Sequence, residues 1–265
     1  MRYQFLWKGY TLKYLSRTLK KNGGRNCFGH TTVFHRGGGC KQKFKFINFN
    51  SLQNFFNLNT SNKLNTIILG IIRRFEYDSN RCCFLALVCS EFNELGYLVA
   101  QENMFIGQVI GFNNLYLSVP EVGNTTILKN FNLGHIISNI SKKPGGFAIY
   151  TRAAGAKSLV VKKYINSIVL KLQSDQLKIF NSKCIATLGS ISNSENKLKK
   201  YTKAGEFRWL GRRSVTRGVA MNPVDHPHGG GEGKTSGGRC SVSPWGILTK
   251  GYPTVRGKKR KLKIK

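Results

Sequence analysis

Hydrophobic positions in the first half of the chain follow the spacing of short β-strands. Residues 44–49 alternate with a period of two, and residues 66–77 and 82–89 are longer runs rich in apolar side chains. A turn at residues 91–94 is followed by a return strand at residues 96–100, which is the spacing of a hairpin. Apolar residues do not recur at the spacing of an amphipathic helix. The pattern predicts a small closed β-barrel.

The second half repeats this organisation after a turn-rich boundary at residues 119–124. Residues 125–140 are strand-like with a glycine break. Two short runs at residues 168–173 and 176–180 flank a Ser-Asp turn and predict a second hairpin. Residues 184–191 then close a second small barrel. The chain is therefore expected to be mainly β.

Both ends of the chain lack this apolar spacing. Residues 1–26 are basic and free of acids, which suits an arm lying on RNA; a mitochondrial presequence is the alternative. Prolines and glycines exclude helix and ordinary strand from residues 218–246, and so long a glycine-rich loop is typically disordered or shaped against a partner. The predicted order is an arm (1–26), a first barrel (27–120), a second barrel (121–196) and an extended glycine-rich segment (197–265).

The charge of the chain points to a polyanionic partner. Its 265 residues carry 43 Lys and Arg against 11 Asp and Glu, a formal net charge of +32. Self-repulsion of this size opposes folding of the isolated chain, so nucleic acid is the leading candidate. No apolar run has the length of a transmembrane helix, and no basic amphipathic helix indicates a membrane surface.

Candidate RNA-binding residues lie where cations accompany glycine or tryptophan. A glycine triplet follows Arg36, and four arginines accompany Trp209 in residues 208–217, which favours phosphate pairing with stacking on bases or riboses. Small residues at 150–157 fit either close RNA contact or a tight barrel corner. The predicted RNA-binding residues are Arg25, Arg36, Gly37, Gly38, Lys41, Lys43, Arg152, Lys157, Arg208, Trp209, Arg212, Arg213, Arg217, Asn222, His226, His228, Gly229, Gly230, Lys234, Arg239 and Trp245.

Metal binding and catalysis are weaker interpretations. The seven cysteines are odd in number and form no Cys-x-x-Cys pair, so a reducing compartment is expected, and the loose spacing of Cys27, His30, His35 and Cys40 argues against zinc. Asp225, His226, His228 and Glu232 resemble acid–base groups, but no nucleophile elbow or phosphate-binding loop accompanies them. We expect no catalysis and no metal. A nucleic-acid-processing enzyme and a nonspecific DNA-compacting protein remain the alternatives.

Several motifs, in order, resemble the L-two family, protein two of the large ribosomal subunit. The run Met221-Asn-Pro-Val-Asp-His-Pro-His-Gly-Gly-Gly-Glu-Gly-Lys234 is the most specific. The others are Arg25-Asn26, His35-Arg-Gly-Gly-Gly-Cys-Lys-Gln42, Glu76-Tyr-Asp-Ser-Asn-Arg81, Tyr97-Leu-Val-Ala100, Lys143-Pro-Gly-Gly146 and Ala186-Thr-Leu-Gly189. The resemblance implies an oligonucleotide-binding (OB) barrel, then a Src-homology-3-like (SH3-like) barrel, with extended basic N- and C-terminal segments.

The resemblance also implies a function. It implies a monomer that binds large-subunit rRNA among neighbouring ribosomal proteins, supports the peptidyl-transferase region and contacts the small subunit at an intersubunit bridge. No cofactor is implied, and any structural Mg²⁺ is expected to come with the rRNA. The chain departs from the family in its arm, at Cys40 and at residues 51–65, which are expected to be a loop or an insertion. Residues typical of AT-rich codons favour a mitochondrial ribosome, with a plastid or bacterial one as the alternative.

Overall fold

The computed structural model describes residues 6–47, 49, 68–91, 93–112 and 121–251. The expected loop or insertion at residues 51–65 and the basic C-terminal tail lie outside the described residues. None of the helices in the described ranges is long and apolar enough to cross a membrane.

The described chain is built mainly of short strands. They are β1 (Ser16–Thr18), β2 (Lys43–Lys45), β3 (Ile68–Tyr77), β4 (Phe84–Ser90), β5 (Leu95–Val99), β6 (Val109–Phe112), β7 (Thr125–Ile127), β8 (Ile136–Ser138), β9 (Ile140–Ser141), β10 (Ala148–Tyr150), β11 (Ser158–Lys163), β12 (Ser167–Lys171), β13 (Leu177–Asn181) and β14 (Ile185–Leu188). One α-helix, α1 (Ala204–Trp209), and 3₁₀ helices at Leu128–Asn130, Ser194–Leu198 and Gly218–Ala220 complete the elements. The expectation of a mainly β chain is confirmed.

Ten strands form one mixed sheet in the order β13-β12-β11-β8-β14-β7-β6-β3-β4-β5. A single parallel pair, Phe112 with Thr125, joins β6 to β7, whereas the other neighbouring strands are antiparallel. This junction separates the strands of the first half from those of the second. β1 with β2 and β9 with β10 form separate two-stranded sheets. Both predicted hairpins are present, as β4–β5 and β12–β13.

Each half of the sheet encloses its own core. The first core includes Phe75, Phe84, Ile110 and Phe112, and the second includes Leu128, Phe131, Ile137, Val160 and Ile168. Two separate cores on the two sides of the β6–β7 junction match two successive barrels. The apolar side chains of these two cores are therefore buried in two groups, one on each side of the β6–β7 junction.

Strand β4 is buried at all seven positions because it is covered on both faces. Phe84, Ala86 and Val88 face the first core. Leu85 and Leu87 alternate with them and face a third cluster. Besides residues of β5, that cluster contains Ala154, Ala156 and Ile191 from the second half and is flanked by Leu12, Leu15 and Ile47. The continuous apolar sequence of β4 therefore reflects a strand between two packed layers.

The run predicted as one strand at residues 44–49 changes its pairing partner part of the way along. β2 pairs with β1 and ends at Lys45, and the Phe46 N–H still donates to the Leu15 carbonyl at 2.9 Å. Ile47 then forms an isolated parallel bridge with Tyr97 of β5. The residues of this alternating run therefore pair with two different strands, first with β1 and then with β5.

The described residues fall into two compact units. The barrel unit contains residues 6–19 and 41–200, and the glycine-rich unit contains residues 20–40 and 201–251. Residues 20–40 thus belong with the C-terminal segment. The four-part division with boundaries at residues 26, 120 and 196 stays a prediction.

Candidate nucleic-acid interface

Two predicted RNA-binding segments of the glycine-rich unit, residues 35–40 and 209–213, pair with each other. Arg36 and Arg212 form an antiparallel bridge at the centre of this pairing. Backbone hydrogen bonds run from Gly37 N–H to the Gly211 carbonyl (2.7 Å), from Arg213 N–H to the His35 carbonyl (2.8 Å) and from Cys40 N–H to the Trp209 carbonyl (2.9 Å). We call this feature the 35–40/209–213 pairing. It holds two basic segments side by side.

The glycine triplet is shaped in part by this pairing. Gly39 has a φ of +65°, and a Cβ atom there would lie 2.6 Å from the Trp209 carbonyl oxygen and from the Gly211 nitrogen. Only glycine fits, because both the backbone conformation and the space exclude a side chain. Gly38 has no atom within 4 Å of its Cβ position. At Gly39 the chain therefore packs closely against its own backbone at residues 209–211. Gly38 faces open space.

The glycine-rich unit concentrates unpaired positive charge. Its described residues include 12 Lys and Arg against 3 Asp and Glu, and 11 of the 12 cations are exposed. No ion pair joins two described residues of this unit. The Arg36–Arg212 bridge brings two cationic residues opposite each other, and like charges opposite each other destabilise a pairing. The exposed predicted cations are Arg25, Arg36, Arg208, Arg212, Arg213, Arg217, Lys234 and Arg239.

Two exposed tryptophans accompany these cations. The Trp209 side chain at the end of α1 is 64% exposed, and Trp245 in a turn is 73% exposed. Exposed indole rings among cations are suited to stacking on bases or riboses, because every base presents a π-face. The Arg-Trp interleaving noted in the sequence therefore survives as a surface feature.

The loop at residues 221–231 is folded around His226. This imidazole is only 7% exposed, and its Nδ1 accepts a 3.0 Å hydrogen bond from the backbone N–H of His228. A Cβ atom at Gly218 would lie 2.5 Å from the ring, so a glycine is needed beneath it. The sequence suggested disorder or shaping by a partner, but the structure shows a loop with its own internal contacts. His226 holds this loop together.

The neighbouring predicted residues take part in the same turn. Asn222 accepts hydrogen bonds at its carbonyl from the N–H groups of Asp225 (3.0 Å) and His226 (3.2 Å). The N–H groups of Gly229 and Gly230 donate to the His226 and Met221 carbonyls at 2.8 and 3.2 Å. These N–H groups are therefore occupied within the loop. The exposed Asn222 side chain remains on the surface.

His228 links this loop to residues 240–242. Its Nε2 lies 3.2 Å from the Val242 N–H and 3.2 Å from the Cys240 carbonyl. The neutral ring can accept from Val242 or donate to Cys240 according to its tautomer. In either state His228 connects two parts of the glycine-rich unit. Both histidines thus have structural contacts inside the protein.

Four of the predicted cations belong to the barrel unit. Lys41, Lys43, Arg152 and Lys157 are exposed, and the Arg152 guanidinium lies 4.7 Å from the centroid of the Phe49 ring.

The small residues between Arg152 and Lys157 face inwards. Ala154 and Ala156 are buried in the third cluster, and the Gly155 N–H contacts the Ile191 and Ser192 carbonyls. The middle of this run, residues 154–156, therefore forms a tight corner of the barrel unit. The cations at its two ends, Arg152 and Lys157, are exposed, and their contact with RNA stays a prediction.

Sequence reasoning missed a buried ionic cluster in the barrel unit. Glu76 accepts hydrogen bonds from Lys45 Nζ (2.7 Å), Arg74 Nε (2.9 Å) and the Tyr97 hydroxyl (2.9 Å). Lys45 also donates to the Tyr77 carbonyl at 3.0 Å. Glu76 is the first acidic residue of the chain, which is the sequence signal that could have singled it out. This cluster joins β2, β3 and β5.

A second buried carboxylate, Asp78, shapes the turn after β3. It pairs with Arg81 at 2.7 Å and accepts the Asn80 N–H at 2.9 Å. The motif at residues 76–81 therefore contains two buried carboxylates, and each accepts hydrogen bonds from a separate set of side-chain or backbone donors. Its role in the described structure is to fix the β3–β4 connection.

Burial changes the titration of two groups near these carboxylates. Burial, followed by the hydrogen bond to Glu76, raises the pKa of the Tyr97 hydroxyl to about 12. Burial, followed by the charge of Asp78, raises the pKa of the Cys83 thiol to about 12. Both groups therefore stay protonated at neutral pH.

No group of three or more His, Cys, Asp or Glu side chains is placed to hold a metal ion within the described residues.

Two sequence models of one family match the chain. The model described as "Ribosomal Proteins L2, RNA binding N-terminal domain" matches residues 12–111, and the model described as "Ribosomal Proteins L2, C-terminal domain" matches residues 121–246. The first match ends within β6 and the second begins shortly before β7, with residues 112–120 between them.

Individual relatives match over nearly the whole chain. "Large ribosomal subunit protein uL2m" of Reclinomonas americana is 44% identical over 98% of this chain and 88% of that protein. "Large ribosomal subunit protein uL2" of Wolbachia pipientis wMel is 43% identical over 93% of this chain and 85% of that protein. The protein of the same name from Rhodospirillum rubrum is 41% identical over 96% of this chain and 86% of that protein.

Proposed function

The chain belongs to the ribosomal protein L2 family, and on this premise we propose that it is a structural, rRNA-binding component of the large ribosomal subunit. The observation that carries the proposal is the glycine-rich unit, with 11 exposed cations and no ion pair among its described residues. The mutual repulsion of these cations destabilises the folded unit, and a polyanion that neutralises them would stabilise it. The phosphates of rRNA supply that counter-charge.

The two parts of the chain divide the binding. The barrel unit supplies rigid surfaces that carry Lys41, Lys43, Arg152 and Lys157. The glycine-rich unit supplies an extended surface on which Trp209 and Trp245 stack while the arginines pair with phosphates. Backbone-directed contacts of this kind position a protein on folded RNA without requiring a base-by-base code.

The loop at residues 221–231 supports the peptidyl-transferase region without performing chemistry. His226 and His228 use ring nitrogens for contacts inside the protein, which suits them to hold the loop against RNA. We assign them positioning roles, because the ring nitrogens that contact the protein are engaged by its backbone.

The proposal extends to the surroundings of the protein. We place it in the mitochondrial large subunit, because a relative named uL2m from Reclinomonas americana covers nearly all of the chain. It acts there as a single copy beside neighbouring ribosomal proteins and contacts the small subunit at an intersubunit bridge. No membrane is involved, and any Mg²⁺ at its surface belongs to the rRNA.

Sedimentation of a native extract on a sucrose gradient tests the proposal. The protein is expected to migrate with the large subunit, to remain there after a high-salt wash and to be released by ribonuclease. Migration of the protein at the top of the gradient would refute the ribosomal assignment. Gradients from purified mitochondria and from cytosol, run in parallel, test the location.

Two further measurements address the alternatives. A nucleic-acid-processing enzyme would contain stoichiometric metal and would lose activity, but not RNA affinity, in a His228→Ala variant. A DNA-compacting protein would bind folded rRNA and duplex DNA equally. We expect no stoichiometric metal, no nuclease activity and a preference for folded rRNA at physiological salt.

A further inference from the structure

Arg17 lies against two aromatic rings on the β1–β2 ribbon. Its guanidinium carbon is 5.6 Å from the centroid of the Phe44 ring and 5.8 Å from that of Phe46. The two rings meet edge to face, 5.8 Å apart. Contacts within about 6 Å are the range of cation–π attraction. The guanidinium is thus held in place by rings that use none of its N–H donors.

The position of Arg17 follows from the pairing of the two strands. Arg17 is directly opposite Phe44, and residues opposite each other on an antiparallel pair project from the same face. Phe46 lies two residues further along and shares that face. Arg17 is exposed and Phe46 is 43% exposed, so solvent reaches this surface.

No carboxylate among the described residues pairs with Arg17. The first 75 residues of the chain contain no Asp or Glu. The two nearest acids in sequence are both engaged elsewhere, Glu76 with Lys45 and Arg74, and Asp78 with Arg81. Within the described residues the Arg17 guanidinium forms neither an ion pair nor a hydrogen bond.

Arg81 lies on the same aromatic surface as Arg17 but has a carboxylate partner. Arg81 also lies over the Phe44 ring, at 5.5 Å, but its charge is compensated by Asp78 at 2.7 Å. Of the two arginines on one ring, one has an internal counter-ion and the other has none. The planar fork of Arg17 is therefore orientated, exposed and unoccupied.

We propose that Arg17, seated on Phe44 and Phe46, is a phosphate-binding site for the sugar–phosphate backbone of RNA. Its five N–H donors form a fork that matches phosphate oxygens, and the aromatic seat limits the side-chain entropy lost on binding. Arg17 is the contacting residue, and Phe46 is a positioning residue that acts through it. This site rests on the proposed function, since it names a further contact to the same RNA.

The test measures the affinity of the full chain for in vitro transcribed large-subunit rRNA over a series of salt concentrations. The variants are Arg17→Gln, Arg17→Lys, Phe46→Leu and the double variant Arg17→Gln/Phe46→Leu. Lys171→Gln is the matched control, because it removes one cation that Asp175 already pairs at 3.0 Å. Thermal unfolding of each variant verifies that the fold is retained.

Arg17→Gln is expected to weaken binding about tenfold at physiological salt and to reduce the slope of log K against log salt by about 0.7–0.9, the value of one phosphate contact. Arg17→Lys should retain the slope and lose part of the affinity, because a lysine keeps the charge without the fork. Phe46→Leu should weaken binding with an unchanged slope and should have no effect in the Arg17→Gln background.

Three results would overturn the inference. The first is an Arg17→Gln variant with the affinity and salt slope of the unmodified chain, which would leave the proposed function standing. The second is an equal loss of slope in Lys171→Gln, which would indicate a general charge effect. The third is unchanged rRNA affinity together with loss of a protein neighbour from the subunit. If the unmodified chain itself fails to bind rRNA, the proposed function fails too.

Discussion

The hydroxyl of Tyr97 donates a 2.9 Å hydrogen bond to Oε1 of Glu76 in the interior of the barrel unit. Tyr97 is in β5 and Glu76 is in β3, two strands that both pair with β4. Lys45 of β2 completes the arrangement from a third strand. A single carboxylate thus ties three strands together, and removing it should be costly.

Replacement of Glu76 by Gln should lower the free energy of unfolding by about 3–5 kcal/mol, because Lys45 would remain buried without its counter-charge. Tyr97→Phe, which removes one donor, should cost only about 1–2 kcal/mol. Urea unfolding of the purified chain measures both changes. Asp175→Asn, which removes an exposed ion pair with Lys171, should change the stability by less than about 1 kcal/mol. Equal losses in Glu76→Gln and Asp175→Asn would contradict this account.

Tyr97 should also give the stability a dependence on alkaline pH. Its pKa is raised from 10.0 to about 12 in the folded chain, so ionisation favours the unfolded state. The contribution is fully present below about pH 10 and is lost as the pH rises towards about 12. The difference in free energy of unfolding between the unmodified chain and Tyr97→Phe should shrink over that range. A difference that stays constant from pH 9 to pH 12 would be inconsistent with a raised pKa.

The glycine triplet offers a matched pair of variants. Gly39→Ala should open the 35–40/209–213 pairing, since the methyl group would clash with backbone atoms at 2.6 Å and the φ of +65° is strained for alanine. Gly38→Ala meets no atom within 4 Å and should leave the pairing closed. Amide hydrogen exchange at Gly37, Cys40 and Arg213, whose N–H groups close the pairing, reports the result. Similar exchange in both variants would show that the pairing does not depend on Gly39.

The cysteines should separate into reactive and protected classes. Cys27, Cys40 and Cys240 are exposed, whereas Cys83, Cys89 and Cys184 are buried. Burial raises the pKa of the Cys83 and Cys184 thiols, which removes the nucleophilic thiolate at neutral pH.

Iodoacetamide at pH 8 should therefore alkylate the exposed group alone, as determined by mass spectrometry. The same treatment in urea serves as the control and should modify all seven cysteines of the chain, including the half-buried Cys82. Rapid labelling of Cys83 without denaturant would show that the β3–β4 turn opens readily.

The sequence predicted the barrel regions well because strand patterns are local. The β4–β5 and β12–β13 hairpins need only alternating side chains and a turn between them, and both occur as expected. The six-residue helix α1 escaped prediction because it is too short to show a helical period. The switch from pairing with β1 to pairing with β5 after Lys45 was not predicted either. The alternating pattern of a strand does not indicate which neighbouring strand it pairs with.

The candidate interface was predicted in composition but not in arrangement. Arg36, Arg212 and Trp209 were recognised from cations beside glycine or tryptophan, and their exposure agrees with that interpretation. Their assembly depends on contacts between residues about 170 positions apart, which no local pattern encodes. His226 is among the predicted RNA-binding residues, and the structure adds that its buried ring holds the surrounding loop through the His228 N–H. The assignment of the whole set to RNA contact stays a prediction.

The 35–40/209–213 pairing has a consequence for the order of events during synthesis. Its first segment is made near the start of the chain, and its second segment follows only after the entire barrel unit. At a synthesis rate of about 5–20 residues per second, the first segment waits roughly 10 to 35 seconds for its partner. During that interval the exposed cations around Arg36 are free to meet nascent or partly folded rRNA. The paired surface is thus completed last, after the barrels have had time to fold.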